Sequence, residues 1–269
     1  MKKRELLLIA ILTVLIAFMD ISGIPSTLLF RIRIADIEPI YFSLMINFFL
    51  IGGIAFLYLT FLCPDWKLGL GKEGLAGGLK QYGGIGALVA LAGLVAFLVG
   101  SLPFDGHPSV TKVVVEGVVY YIGVAVVEEL YVRGLLLGFL KRLFAKKNNG
   151  TLIAVASSAV VFGVGHIFGS LGQPPLVIVG KVIWTVGMGL FFGMVYQKTG
   201  NLWVPILLHF LVNVCALPYQ FSGNGGYADS TLYILVPVYL ILGIYSVVTL
   251  QKQGADTDIP RSTDRKKQP

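Results

Sequence analysis

Eight stretches of this chain are each about as long and as apolar as a helix has to be to cross a hydrocarbon core, which takes about 20 residues. They run roughly over Leu6–Pro25, Ile40–Cys63, Lys80–Ser101, Lys112–Leu140, Thr151–Phe168, Leu176–Gln197, Leu202–Tyr219 and Tyr233–Gln251. Backbone groups in lipid must be satisfied within their own segment, so these runs are predicted to be helices. The alternation of a membrane β-barrel is absent. Composition agrees. Charged residues make up 13% of the 269 residues, against roughly 25% in a soluble domain, and the mean hydropathy is +0.82. That excludes a soluble enzyme, a disordered chain and a nucleic-acid-binding module. The expected fold is an all-α, polytopic membrane protein with about eight spans.

The excess of basic residues, a net charge of +7, lies between the apolar runs, which points to a membrane surface as partner and away from nucleic acid. With the N-terminus placed in the cytoplasm, sixteen Lys and Arg fall on the inner side and three, Arg31, Arg33 and Lys112, on the outer side. The bias predicts both termini cytoplasmic, with the chain in a plasma membrane of bacterial type. The first run follows Met1-Lys2-Lys3-Arg4, which also resembles the start of a signal peptide. No small-x-small cleavage site follows it, so it is read as a retained first helix. Residues 1–251 are read as one transmembrane domain and 252–269 as a polar, disordered cytoplasmic tail. Cys63 and Cys215 give neither a disulfide framework nor zinc-finger spacing.

An ionisable group at mid-membrane costs several kcal/mol, so each one calls for a reason. The set is Asp20, Glu116, Glu128, Glu129, Arg133, His166, Lys181 and His209. At about 100° per residue, Glu129 and Arg133 share a helix face while Glu128 points elsewhere. Arg133 is then expected to neutralise Glu129 and leave Glu128 as a general base. A plain ion pair at a helix end is the bland alternative, but it leaves the second carboxylate without a purpose. Phe162 and His166 share a face of the fifth run, and His209 and Asn213 a face of the seventh. Singly, these are a packing histidine and an interhelical polar clamp. Together, two imidazoles and a carboxylate can bind zinc with an open water position, or hold and deprotonate a water without metal. Both point to hydrolysis. The pairs Gly134/Gly138, Gly165/Gly169 and Gly189/Gly193 are spaced to let helices approach closely.

The ordered set Glu-Glu-x-x-x-Arg (Glu128, Glu129, Arg133), Phe-x-x-x-His (Phe162, His166) and His-x-x-x-Asn (His209, Asn213) resembles the CPBP intramembrane proteases, which include the CAAX prenyl endopeptidases and the bacterial Abi or bacteriocin-immunity proteins. The resemblance covers about residues 112–220. It implies an eight-helix CAAX-protease-like bundle and peptide-bond hydrolysis. It also implies that Glu128 activates water, while His166, His209 and Asn213 position it and stabilise the oxyanion. If zinc is used, the implied ligands are His166, His209 and Glu128. The partners implied are membrane lipid and a membrane-associated or lipidated peptide, such as a CAAX-type, pheromone or bacteriocin-like one; oligomeric state is left open. Two other readings remain at this stage. One is a non-catalytic immunity or scaffold protein of the same fold; the other is a proton-coupled transporter, against which the lack of an internal repeat counts. One expectation is awkward. At 1.5 Å per residue, Glu128 and His209 fall in the cytoplasmic half of the membrane and His166 nearer the outside. Tilt, a late fifth helix or a long fourth helix is needed for them to meet.

Overall fold

A computed structural model describes residues 11, 36–61, 63, 66–99, 108–221 and 229–258, and these are overwhelmingly helical. We number the helices α1 Pro39–Phe61, α2 Leu75–Val99, α3 Val110–Leu143, α4 Gly150–Gly165, α5 Pro175–Thr199, α6 Trp203–Cys215, α7 Leu217–Gln220 and α8 Asp229–Asp258. Among the described residues six helical stretches are long and apolar enough to cross a membrane, so the chain is a multi-pass, membrane-embedded all-α protein. The expected first span, Leu6–Pro25, and Asp20 within it lie outside the described residues apart from Ile11.

The seventh expected span is corrected. The apolar run from Leu202 to Tyr219 is broken into α6 and α7 at Ala216. With 13 residues, α6 is about 20 Å long, short of the ~30 Å core. The C-terminal boundary also moves. Helix α8 continues to Asp258, so the polar tail begins with helical residues; 259–269 lie outside the described residues.

The bundle is organised around α3 and α5. Helix α5 packs on α4 along one side and on α8 along the other; α6 lies between α2 and α3, and α1 covers α3. Small residues allow these contacts. A Cβ on Gly189 would stand 3.0 Å from Ala159 of α4, and one on Gly193 would meet Val155 at 2.8 Å. Gly169, by contrast, faces open space, so the Gly165/Gly169 pair does not mark a helix contact as its spacing suggested.

Lengths resolve the depth problem. Helix α3 has 34 residues, about 50 Å, and Glu128 sits near its midpoint. The α-helical part of α4 has 16 residues, and the helical stretch runs on to Ser170, so His166, the residue after Gly165, lies inside the candidate span rather than at its end. The long fourth helix lets the three motifs meet at one cavity.

The polar end of α5 and the start of α6 are tied to the loop before α2. Gly200 turns the chain with φ +62° and Gly69 faces it with φ +66°, in van der Waals overlap with the Gly200 carbonyl if it carried a Cβ. Buried Asn201 donates to the carbonyls of Gly71 (2.8 Å) and Glu73 (2.7 Å) and accepts from the Trp203 amide (2.9 Å). This clamp fixes where α6 begins, and so where His209 and Asn213 fall along it.

Candidate active site

Helix α3 is not a uniform α-helix. Its Tyr120–Glu129 stretch is α-helical, and Leu130–Leu136 is π-helical. Periodicity at 100° per residue could not foresee this widening, which is a known accompaniment of functional sites. The expected pairing nonetheless forms. Arg133 Nη1 lies 2.9 Å from Glu129 Oε1, with both side chains at most 1% exposed. The N–H is not aligned for a hydrogen bond, so the contact is one of charge. Arg133 Nη2 donates to the Gly189 carbonyl of α5 at 3.3 Å. Its guanidinium lies over two rings, Phe162 at 5.0 Å and Phe192 at 5.5 Å.

Glu129 Oε1 also receives the Nδ1 proton of His209 at 2.9 Å. A carboxylate accepts only, so Nδ1 carries a proton, and in the neutral imidazole Nε2 then has its lone pair outward. Nε2 lies 3.7 Å from Glu128 Oε2, too long for a direct hydrogen bond. The His209 ring is stacked on Phe192 (5.2 Å) and edge-on to Phe162 (6.4 Å). A chain of contacts therefore runs Arg133–Glu129–His209–Glu128, dry at one end and open at the other. Glu129 is fully buried, whereas the Glu128 side chain is 18% exposed.

His166 is held in the same way. Its Nδ1 lies 2.8 Å from the Phe162 carbonyl, which can only accept. Nδ1 is therefore protonated and Nε2 is again the free nitrogen. The His166 ring packs edge-on to Phe162 at 4.7 Å, and buried Ser170 donates to the His166 carbonyl. One ring, Phe162, thus touches both imidazoles and the guanidinium, which explains its place in the motif.

A cavity of about 540 Å³ opens among α3, α4, α5 and α6, lined by Glu128, His166, His209 and Asn213 together with Lys181, Trp184 and Thr185. The structure brings four of the six expected site residues to its wall. Glu129 and Arg133 stand behind them, where they hold His209 in orientation. Asn213 Nδ2 is buried without a hydrogen-bond partner. Sequence reasoning missed Phe192, Trp184, Thr185 and the purpose of Lys181. A signal existed: Lys181, Thr185, Met188 and Phe192 recur at helical spacing on one face of α5. Glu116, which had no assigned role, is buried at the start of α3 and accepts from the Glu38 amide at 2.6 Å.

Both imidazoles present an unprotonated Nε2 while donating from Nδ1 to an oxygen, the usual arrangement of zinc-binding histidines. The chemistry of the donor set fits zinc. As the side chains stand, however, no group of three His, Cys, Asp or Glu among the described residues is placed as a metal-ligand set.

Residues 110–215 match the family model described as Type II CAAX prenyl endopeptidase Rce1-like. The matched segment contains all of the motif residues and is consistent with a CPBP/CAAX protease family. No curated protein and no solved structure matches the chain.

Proposed function

We propose that this protein is an intramembrane endopeptidase that hydrolyses a peptide bond in a membrane-associated or lipidated peptide, with water activated by Glu128. The supporting observation is the asymmetry of the two adjacent carboxylates. Glu129 is buried between Arg133 and His209, while Glu128 stands at the cavity wall, 3.7 Å from Nε2 of His209.

The gap between Glu128 Oε2 and His209 Nε2 suits a water that donates one proton to each acceptor. Glu128 takes a proton as the water oxygen attacks the scissile carbonyl, and returns it to the leaving amine. His166, with Nε2 unprotonated, accepts from the substrate amide and so orients it. Asn213 Nδ2 has a proton to give and no protein acceptor, which makes it the donor for the developing oxyanion. Arg133 and Glu129 fix the tautomer of His209. If zinc is bound, His166, His209 and Glu128 are the residues to hold it, and it would supply Lewis acidity and a more acidic water. The charge asymmetry of the loops supports cytoplasmic termini.

The test is turnover of membrane-associated peptides by the reconstituted protein. Glu128→Gln is nearly isosteric, and cleavage should fall by at least about 100-fold, the usual scale for loss of a general base, with the fold unchanged. Near-wild-type turnover would move the base elsewhere. A wild type inactive across a broad peptide panel would favour the non-catalytic immunity or scaffold reading.

A further inference from the structure

The cavity holds a cation that the hydrolytic scheme does not use. Lys181 sits on α5, within a membrane-spanning stretch, and lines the cavity rather than extending along the lipid face. An unpaired ammonium in such surroundings is costly, yet no carboxylate among the described residues lies within ion-pair distance of it. Glu128 influences it only at longer range.

A second group points the same way. Thr185, one helical turn on, lines the same cavity. Its hydroxyl is buried and has no hydrogen-bond partner. A helical hydroxyl normally bonds back to a carbonyl of the preceding turn. Ser158, Thr199, Ser246 and Thr249 all do so here, at 2.7–2.9 Å. Thr185 breaks that pattern at the position next to the orphan cation. Asn213 Nδ2 adds a further unsatisfied donor to the same wall. A cavity with three unanswered donors, one of them charged, is built for an acceptor that carries negative charge.

We propose that Lys181 and Thr185 form a carboxylate-binding subsite of the cavity, which selects peptide substrates bearing a carboxylate beside the scissile bond. The inference rests on the proteolytic reading above. One ammonium and one hydroxyl match a singly charged group, and the carboxylates available to a peptide are its C-terminus and the side chains of Asp and Glu. Lys181 sets specificity here by contact with substrate, and the proton transfers stay with Glu128.

The experiment compares three peptides of one sequence with the purified, reconstituted protein: a C-terminal free acid, the C-terminal amide, and the amide with an Asp placed near the cleavage point. The readout is the ratio of kcat/KM for each acid over the plain amide. A charge-assisted hydrogen bond is worth about 10- to 100-fold, so the wild type should prefer one of the acids by that factor. The preferred acid identifies the source of the carboxylate. Lys181→Met should bring the ratio to about one, Lys181→Arg should keep most of it, and Thr185→Val should lower it by a smaller factor. A ratio that survives Lys181→Met overturns the subsite. So does an equal loss for acid and amide, which would mean that Lys181 serves only to balance Glu128. If the wild type cleaves none of the peptides, the proteolytic reading fails separately, and the subsite is judged by binding of the same labelled peptides. Tighter binding of an acid that depends on Lys181 supports it. Equal binding of acid and amide, or Lys181-dependent retention of phosphatidylglycerol over phosphatidylcholine alone, overturns it.

Discussion

Glu128 and Glu129 are neighbours in the chain, yet they sit on opposite sides of a boundary. Behind it are Glu129, Arg133 and the ring of Phe192, all buried away from the cavity; in front are Glu128, Lys181, Thr185 and Asn213, facing it. His209 is the partition, with Nδ1 turned to one side and Nε2 to the other. The comparison teaches that residue type does not assign a role in this bundle. A carboxylate locked by a guanidinium and an imidazole is buried and fixed, whereas its neighbour reaches the cavity wall, where the proposed proton transfer would take place.

The sharpest way to break this comparison is on the dry side. Arg133→Leu leaves Glu129 buried without its cation, and loss of one partner of a buried pair costs about 3–5 kcal/mol. We expect a large drop in thermal unfolding temperature together with loss of activity. A variant with unchanged unfolding would show that the dry side is not structural. Next in size is the contrast between the two carboxylates. Glu128→Gln should cost about 100-fold in turnover, equivalent to about 2.7 kcal/mol of barrier, and shift stability by no more than about 0.5 kcal/mol. Glu129→Gln should destabilise the protein measurably in the same unfolding assay. Equal behaviour of the two would erase the boundary. The smallest effect is expected at the partition. Phe192→Leu removes the ring beneath His209 and Arg133 and should cost about 1–2 kcal/mol of stability, with a reduced kcat and little change in KM. A change confined to KM would place Phe192 against substrate instead.

Much of this was legible in the residues. Apolar run length located the long helices, and i, i+4 spacing gave the Arg133–Glu129 pair because that pairing is local to one helix. Lys181 and Thr185 were harder to read. Their meaning depends on what faces them from α3 and α6, and a single helix wheel does not carry that. The division of the seventh run at Ala216 was invisible to hydropathy, because Ala216 and Leu217 are as apolar as their neighbours. The start of α6 depends on Asn201 and its hydrogen bonds to Gly71 and Glu73, contacts distant in sequence. The π-helical stretch was equally hidden, since it is a choice of backbone partner that any apolar sequence can make.

That stretch, Leu130–Leu136, has a consequence for how the chain tolerates changes in length. A π turn holds one more residue than the α turn it replaces. Deleting a single residue between Arg133 and Leu137 would therefore let the backbone relax to an ordinary helix, with the residues on either side keeping their faces. The same deletion in the α-helical stretch Tyr120–Glu129 has no extra residue to give up and turns everything beyond it by about 100° relative to what precedes it. Glu128, Glu129 and Arg133 would then face different neighbours, although no motif residue had been lost. A one-residue gap after Arg133 is expected to be far less damaging than one between Tyr120 and Val127.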